Sequence, residues 1–99
     1  MITSLEKFSD LDPSSIEEIE MERDFIRDAL EVLRATHEIS NDAFLDAGTI
    51  QGGLSLLVNL ISQGITVDEA SLQLNSLKER AAALNQAYPG LDEKVESMR

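Results

Sequence analysis

The chain has no cysteine, no tryptophan, two prolines, one histidine and four Phe or Tyr residues among its 99 positions. Without cysteine it can form neither a disulfide nor a thiolate metal cage, so its stability must come from helix packing, self-association or a partner. The same absence agrees with a cytoplasmic location. With His37 the only side chain whose ordinary pKa lies near neutrality, nucleophilic catalysis has one candidate base, and no serine sits in a strand-to-helix elbow that would present it. The expectation is therefore no enzyme, no catalytic residue and no cofactor.

Basic residues are also scarce, with 8 Lys and Arg against 19 Asp and Glu, a formal charge of −11. Residues 1–50 hold thirteen acids against four bases (−9), and residues 51–99 hold six against four (−2). Such a surface repels nucleic-acid backbones and anionic lipid and favours steering toward a basic protein. Direct binding to nucleic acid or membrane is not expected. The longest greasy stretch, Leu54 to Ile61, is far below the roughly 20 residues that span a bilayer, and the N-terminus shows no tripartite leader.

What the chain does have is helical rhythm. Val67, Ala70, Leu74, Leu77, Ala81, Leu84 and Tyr88 recur at steps of three and four and share one stripe. Ile16, Ile19, Ile26, Leu30 and Leu33 repeat the pattern, with Arg23 and His37 in intervening slots and Glu22, Asp24, Asp28 and Glu31 on the remainder. Between these segments Ile50, Leu54, Leu57 and Ile61 line a third stripe, while Leu56, Val58 and Leu60 make that helix apolar nearly all round. A helix of that kind must be sandwiched, between the two long helices or against a second chain. No strand-like alternation or internal repeat interrupts this. The fold class is all-α, a small antiparallel bundle of three main helices at about 13–39, 49–63 and 66–88, with a dimer as one way to share the apolar surface.

Punctuation sets the boundaries. Residues 1–12 form an N-terminal arm ahead of Asp12-Pro13, and 13–99 a single bundle domain. Leu5, Phe8 and Leu11, spaced by three, would cover one end of the bundle if the arm docks. Asp12 can cap the first helix with Pro13 at its first position, in competition with a Ser14–Glu17 capping box. Ser40-Asn41 marks a break, and Gly48-Thr49 a second interruption. Gly52 and Gly53 either delay the middle helix to Leu54 or admit a close backbone. Gly64 reads as a left-handed cap closed by Ile65, and Thr66 to Glu69 as the next capping box. Pro89-Gly90 stops the last long helix, and Leu91, Val95 and Met98 suggest a short helix or frayed end.

Several patterns mimic chemical sites and fail on composition. His37, Glu38, Asp42 and Asp46 fall at near-helical spacing, but one imidazole with flexible acids is not a closed zinc set, so no metal is expected. Asp10-Leu-Asp12-Pro-Ser14 opens like a calcium loop, yet its sixth position is Ser15 instead of Gly and its twelfth is Met21 instead of Glu. Gly48 to Gly53 lacks the Gly-Lys-Ser/Thr ending of a phosphate loop. The acidic run from Asp10 to Asp28 could imitate DNA phosphates, but Arg23 and Arg27 interrupt it.

Small size, acidity, the missing catalytic set and surplus apolar surface point to a protein that holds another protein: a chaperone, adaptor, inhibitor or immunity factor. A self-assembling structural subunit and an acidic nucleic-acid mimic are the alternatives. The residues expected to meet a partner are Phe8, Leu11, Phe44, Leu56 and Leu60 as apolar anchors and Glu17, Glu18 and Asp24 as acids. Phe25 and Tyr88 are assigned to the core.

Overall fold

The computed structural model describes residues 1–99 and contains only helices: α1 (Ile2–Glu6), α2 (Ile16–Ala35), α3 (Asn41–Ser62), α4 (Val67–Ala87) and α5 (Leu91–Glu96), with a 3-10 turn at Pro13–Ser15 before α2. The small all-α bundle expected from the stripes is the fold observed. The molecule measures 40 × 22 × 19 Å, one long helix in length and two helices in width.

The α3 rod is central. Both α2 and α4 pack chiefly against it, while α1 and α5 bridge α2 and α4 on the side away from α3. The two terminal helices together take the place of a fourth long helix. The N-terminal arm thus lies in a lateral trough instead of over one end: Met1, Leu5, Phe8 and Leu11 all join the core cluster, and Lys78 Nζ donates to the Phe8 carbonyl at 2.8 Å. Leu91 and Val95 join it from α5, while Met98 stays exposed.

Local chemistry explains the boundaries. Asp12 Oδ1 accepts from the Ser14 amide at 2.8 Å and caps the 3-10 turn, with Pro13 where its missing amide is not needed; α2 itself starts at Ile16, three residues later than the expected position 13. The competing Ser14–Glu17 box does not form. The break expected near Ser40 is present, and Ser40 Oγ accepts from Ala43 N at 3.1 Å to start α3. Upstream, His37 N donates to Arg34 O and Glu38 N to Leu33 O, a Schellman closure in which His37 holds φ = 63° where glycine is usual. His37 is therefore an exposed turn residue and not a member of the α2 stripe. Gly64, at φ = 89°, closes α3 the same way, with Ile65 N bonded to Leu60 O. Thr66 Oγ1 accepts from Glu69 N at 3.2 Å to open α4.

Two expectations about glycine are overturned. Helix α3 runs unbroken through Gly48-Thr49, so it begins eight residues before the expected position 49, and its start is not delayed to Leu54 by Gly52-Gly53. Apolar burial of Ala43, Ala47 and Ile50 on the α2-facing and α4-facing core outweighs the glycine penalty, which is about 1 kcal/mol per residue. At Gly53 a side chain, not a backbone, makes the close approach: an added Cβ would stand 2.2 Å from Leu77 Cδ2. Val67, expected at the head of the α4 stripe, is exposed at the first turn of its helix.

Candidate protein interface

Helix α3 carries two seams. The inner one, Ala43, Ala47, Ile50, Leu54, Leu57 and Ile61, is fully buried. The outer one, Leu45, Thr49, Gly52, Leu56, Asn59 and Gln63, repeats the same 4-3-4-3-4 steps two residues further on, and every member is exposed. Two residues rotate a helix by about 200°, so the seams lie back to back. Leu45 is 67% exposed and Leu56 54%, large values for leucines on a central helix. Around Leu56 no residue from Ala47 to Val67 carries a charge, whereas Leu45 stands beside Asp46. Added Cβ atoms at Gly48 and Gly52 would meet nothing within 4 Å, so no contact inside the molecule calls for glycine at either place.

By length and composition α3 is apolar enough to cross a bilayer, which the contiguous stretch Leu54 to Ile61 did not disclose. Its inner seam is nonetheless committed to the bundle core, although only 28% of its apolar window is buried within the single copy.

The sequence-selected contact residues fall into three groups. Phe8 and Leu11 are core residues and are not presented at the surface. Phe44 is half-buried beneath the Arg34 guanidinium, 4.3 Å from its ring centroid. Leu56 lies at the middle of the outer seam and Leu60 beside it, half-buried. Glu17 and Glu18 are exposed in the first turn of α2, where negative charge suits the helix dipole. Asp24 is shared by Arg23 Nε at 3.1 Å and Arg27 Nη1 at 3.4 Å, so part of its charge is answered within the chain. The structure brings Leu56 and Leu60 together and gathers the three acids on α2. Leu45 and Gly52 were missed. Their signal was present in the 4-3 spacing but was obscured by the expected interruption at Gly48.

The principal polar cluster is structural. Glu22, assigned to a solvated face from its place in the α2 pattern, is only 5% exposed. It accepts from Arg99 Nη1 and Nη2, each at 3.0 Å, and from Lys7 Nζ. Burial pushes its carboxyl pKa up, but Arg99 and Lys7 outweigh that and hold it below the usual range. Arg99 also stacks on Phe25, 4.1 Å from the centroid, and bonds Glu96 and Ser4. Hydrogen bonding from Arg99, opposed by burial, lowers the Glu96 pKa. Asp92 is likewise lowered, because the Met1 ammonium at 2.9 Å and Thr3 exceed the effect of burial. These contacts fasten α1 and α5 to α2. Every buried side-chain nitrogen or oxygen has a hydrogen-bond partner.

The α2–α3 turn frames an open hollow of about 610 Å³ lined by Arg34, His37 and Ser40 among others. His37 and Glu38 stand in that turn, while Asp42 and Asp46 are on α3, and no three acids or histidines are gathered as metal ligands. Asp46 instead accepts from the Tyr88 hydroxyl at 2.6 Å. That bond, with some desolvation, raises the Tyr88 pKa to about 12. Tyr88, at the C-cap of α4, is half-buried and packs against the core cluster, as Phe25 does.

No protein-family model, characterised protein or solved structure matches this chain.

Proposed function

We propose that this chain is a non-catalytic, cytoplasmic protein-binding module of the chaperone, adaptor or inhibitor kind, which engages other protein through the outer seam of α3. The observation that carries the reading is exposed Leu56 at the centre of the uncharged stretch Ala47 to Val67, continued by exposed Leu45 beside Asp46, on a molecule whose formal charge is −11. Charge depletion around exposed apolar anchors is the compositional mark of an interface centre. The acids of α2, Glu17 and Glu18 foremost, supply long-range steering toward a basic partner and govern the rate of encounter more than the strength of the complex. The nucleic-acid mimic is the weaker reading, because Asp24 and Asp28 are ion-paired to Arg23 and Arg27.

The test is affinity isolation from the native host of the unaltered chain, of Leu56→Asp and of a Glu17→Lys/Glu18→Lys variant. The expected result is a protein retained by the unaltered chain and lost with Leu56→Asp, with charge reversal slowing capture and making it less sensitive to salt. Equal retention by all three, or none by any, refutes the reading.

A further inference from the structure

We propose that the outer seam of α3 pairs with the same seam of a second copy, antiparallel and about a two-fold axis beside Leu54. This inference rests on the reading that the seam binds protein, and it names a second copy as the occupant of the seam until a basic partner displaces it.

In the order Leu45, Thr49, Gly52, Leu56, Asn59, Gln63 the seam reads the same backwards in spacing. In an antiparallel pair centred beside residue 54, Leu56 meets Gly52 of the other copy, Asn59 meets Thr49, and Gln63 meets Leu45. The largest side chain near the axis thereby stands over the notch left by a glycine, and an amide faces a hydroxyl. A two-fold interface requires such self-complementarity, since each contact is made twice. The arrangement also accounts for Gly52, whose missing side chain fills no need within one copy.

Charge selects both the face and the direction. Two bodies of −11 repel, and residues 47–67 are the longest uncharged stretch they can present to each other. Asp42 and Asp46 stand at the N-terminal end of α3. A parallel pair would set each against its own copy, whereas the antiparallel pair sets them near the uncharged C-terminal end and aligns the two helix dipoles favourably.

Area sets the strength. The seam from Leu45 to Gln63 is about 27 Å long at 1.5 Å per residue. With a molecular cross-section of 22 × 19 Å, the face offers about 500–600 Å² per copy, below the roughly 800 Å² of a standard interface. The pair should form at micromolar or higher concentration, and added salt should tighten it by screening the net charge.

Sedimentation equilibrium from about 10 μM to 1 mM, a range bracketing an interface of this size, tests the pairing. The expected mass rises from 10.9 kDa toward twice that value. Leu56→Asp and Gly52→Leu should remain monomeric with unchanged helical circular dichroism, both sites being open in the single copy. Orientation follows from single cysteines in this cysteine-free chain. Thr49→Cys mixed with Asn59→Cys should cross-link, whereas Thr49→Cys alone, with about 15 Å between copies, should not reach the roughly 7 Å limit of a disulfide. Monomeric behaviour to 1 mM, or a mass unaffected by both seam substitutions, overturns self-pairing; cross-linking of Thr49→Cys alone as fast as the mixture overturns the antiparallel register. Should self-pairing fail while Leu56→Asp still abolishes capture of a different protein, the binding reading stands and only its occupant changes.

Discussion

Gly52 and Gly53 are neighbours in one helix, yet alanine at the two positions should change stability in opposite directions. At Gly52 the new methyl meets nothing within 4 Å, so the change expresses only the helix preference of alanine over glycine. That preference is worth about 0.5–1 kcal/mol. At Gly53 the methyl would stand 2.2 Å from Leu77 Cδ2 and 3.3 Å from Cγ. Ordinary carbon contacts lie at about 3.5–4.0 Å, so Leu77 must move by more than 1 Å or leave its rotamer. Leu77 is buried between α3 and α4, and overpacking of this kind costs about 1–3 kcal/mol. Subtracting the same helix preference leaves a net loss of about 1 kcal/mol, and a separation of about 2 kcal/mol between the two variants.

For a domain of this length each kcal/mol moves Tm by about 4–8 °C. Thermal unfolding followed at 222 nm, at low micromolar concentration where self-association is weak, should therefore place Gly52→Ala above and Gly53→Ala below the unaltered chain. Trimming the obstacle supplies the control: in Leu77→Ala, the further change Gly53→Ala should no longer destabilise. If both single variants raise Tm equally, the α3–α4 packing described above is wrong.

Other consequences can be checked with small amounts of protein. Glu22, Asp92 and Glu96 have folded pKa values below their ordinary ones, so their stabilisation is fully present above about pH 4.5 and disappears as pH falls through the folded values; urea unfolding from pH 6 to 3 should show this. Glu22→Ala should lower stability by about 1–2 kcal/mol and flatten that pH dependence, the modest size reflecting the water access of Lys7 and Arg99. Tyr88 is the only tyrosine and there is no tryptophan, so absorbance near 295 nm should report one phenol titrating at about 12, falling toward 10 in Asp46→Ala. Because that pKa is raised in the folded chain, the bond stabilises fully below about pH 10 and is lost as pH climbs through about 12. His37→Gly should stabilise by about 1 kcal/mol in the same thermal assay by relieving a left-handed backbone; an unchanged Tm would refute that strain.

Much of the fold was legible because it depends on short-range rules. Gly64 followed by Ile65 and Thr66 names a turn in three residues, and the α2 and α4 stripes reveal their buried sides through spacing alone. What escaped depends on contacts distant in sequence. Glu22 looked like one more acid on an acidic helix until Lys7 and Arg99, 15 and 77 residues away, closed over it. His37 continued the stripe arithmetically, but the closure onto Leu33 and Arg34 turned the backbone out of the helix. At Gly48 the local signal is overridden, since a helix packed against both α2 and α4 tolerates an interruption that an isolated helix would obey. The candidate interface was half legible for the same reason: Leu56 and Leu60 stood out, while Leu45 and Gly52 became part of one seam only when the helix was continuous.

That continuity gives α3 a composition out of proportion to its role inside one molecule. The buried seam alone would hold α2 and α4 in place, and solvated outer positions would ordinarily carry the Glu and Lys that favour helix formation. Instead the outer face has leucines exposed to water and Gly52, with half-buried Gly48 at its flank, which together forgo about 2 kcal/mol of helix preference where an added Cβ would meet nothing within 4 Å. The single copy recovers none of this. A covering helix recovers it twice, because each exposed leucine gains burial and each glycine admits closer approach. The double variant Gly48→Ala/Gly52→Ala should consequently be the more stable monomer by about 1–2 kcal/mol and the poorer dimer. Equal gains in both properties would mean that the outer seam is merely an apolar surface, with no mate shaped to it.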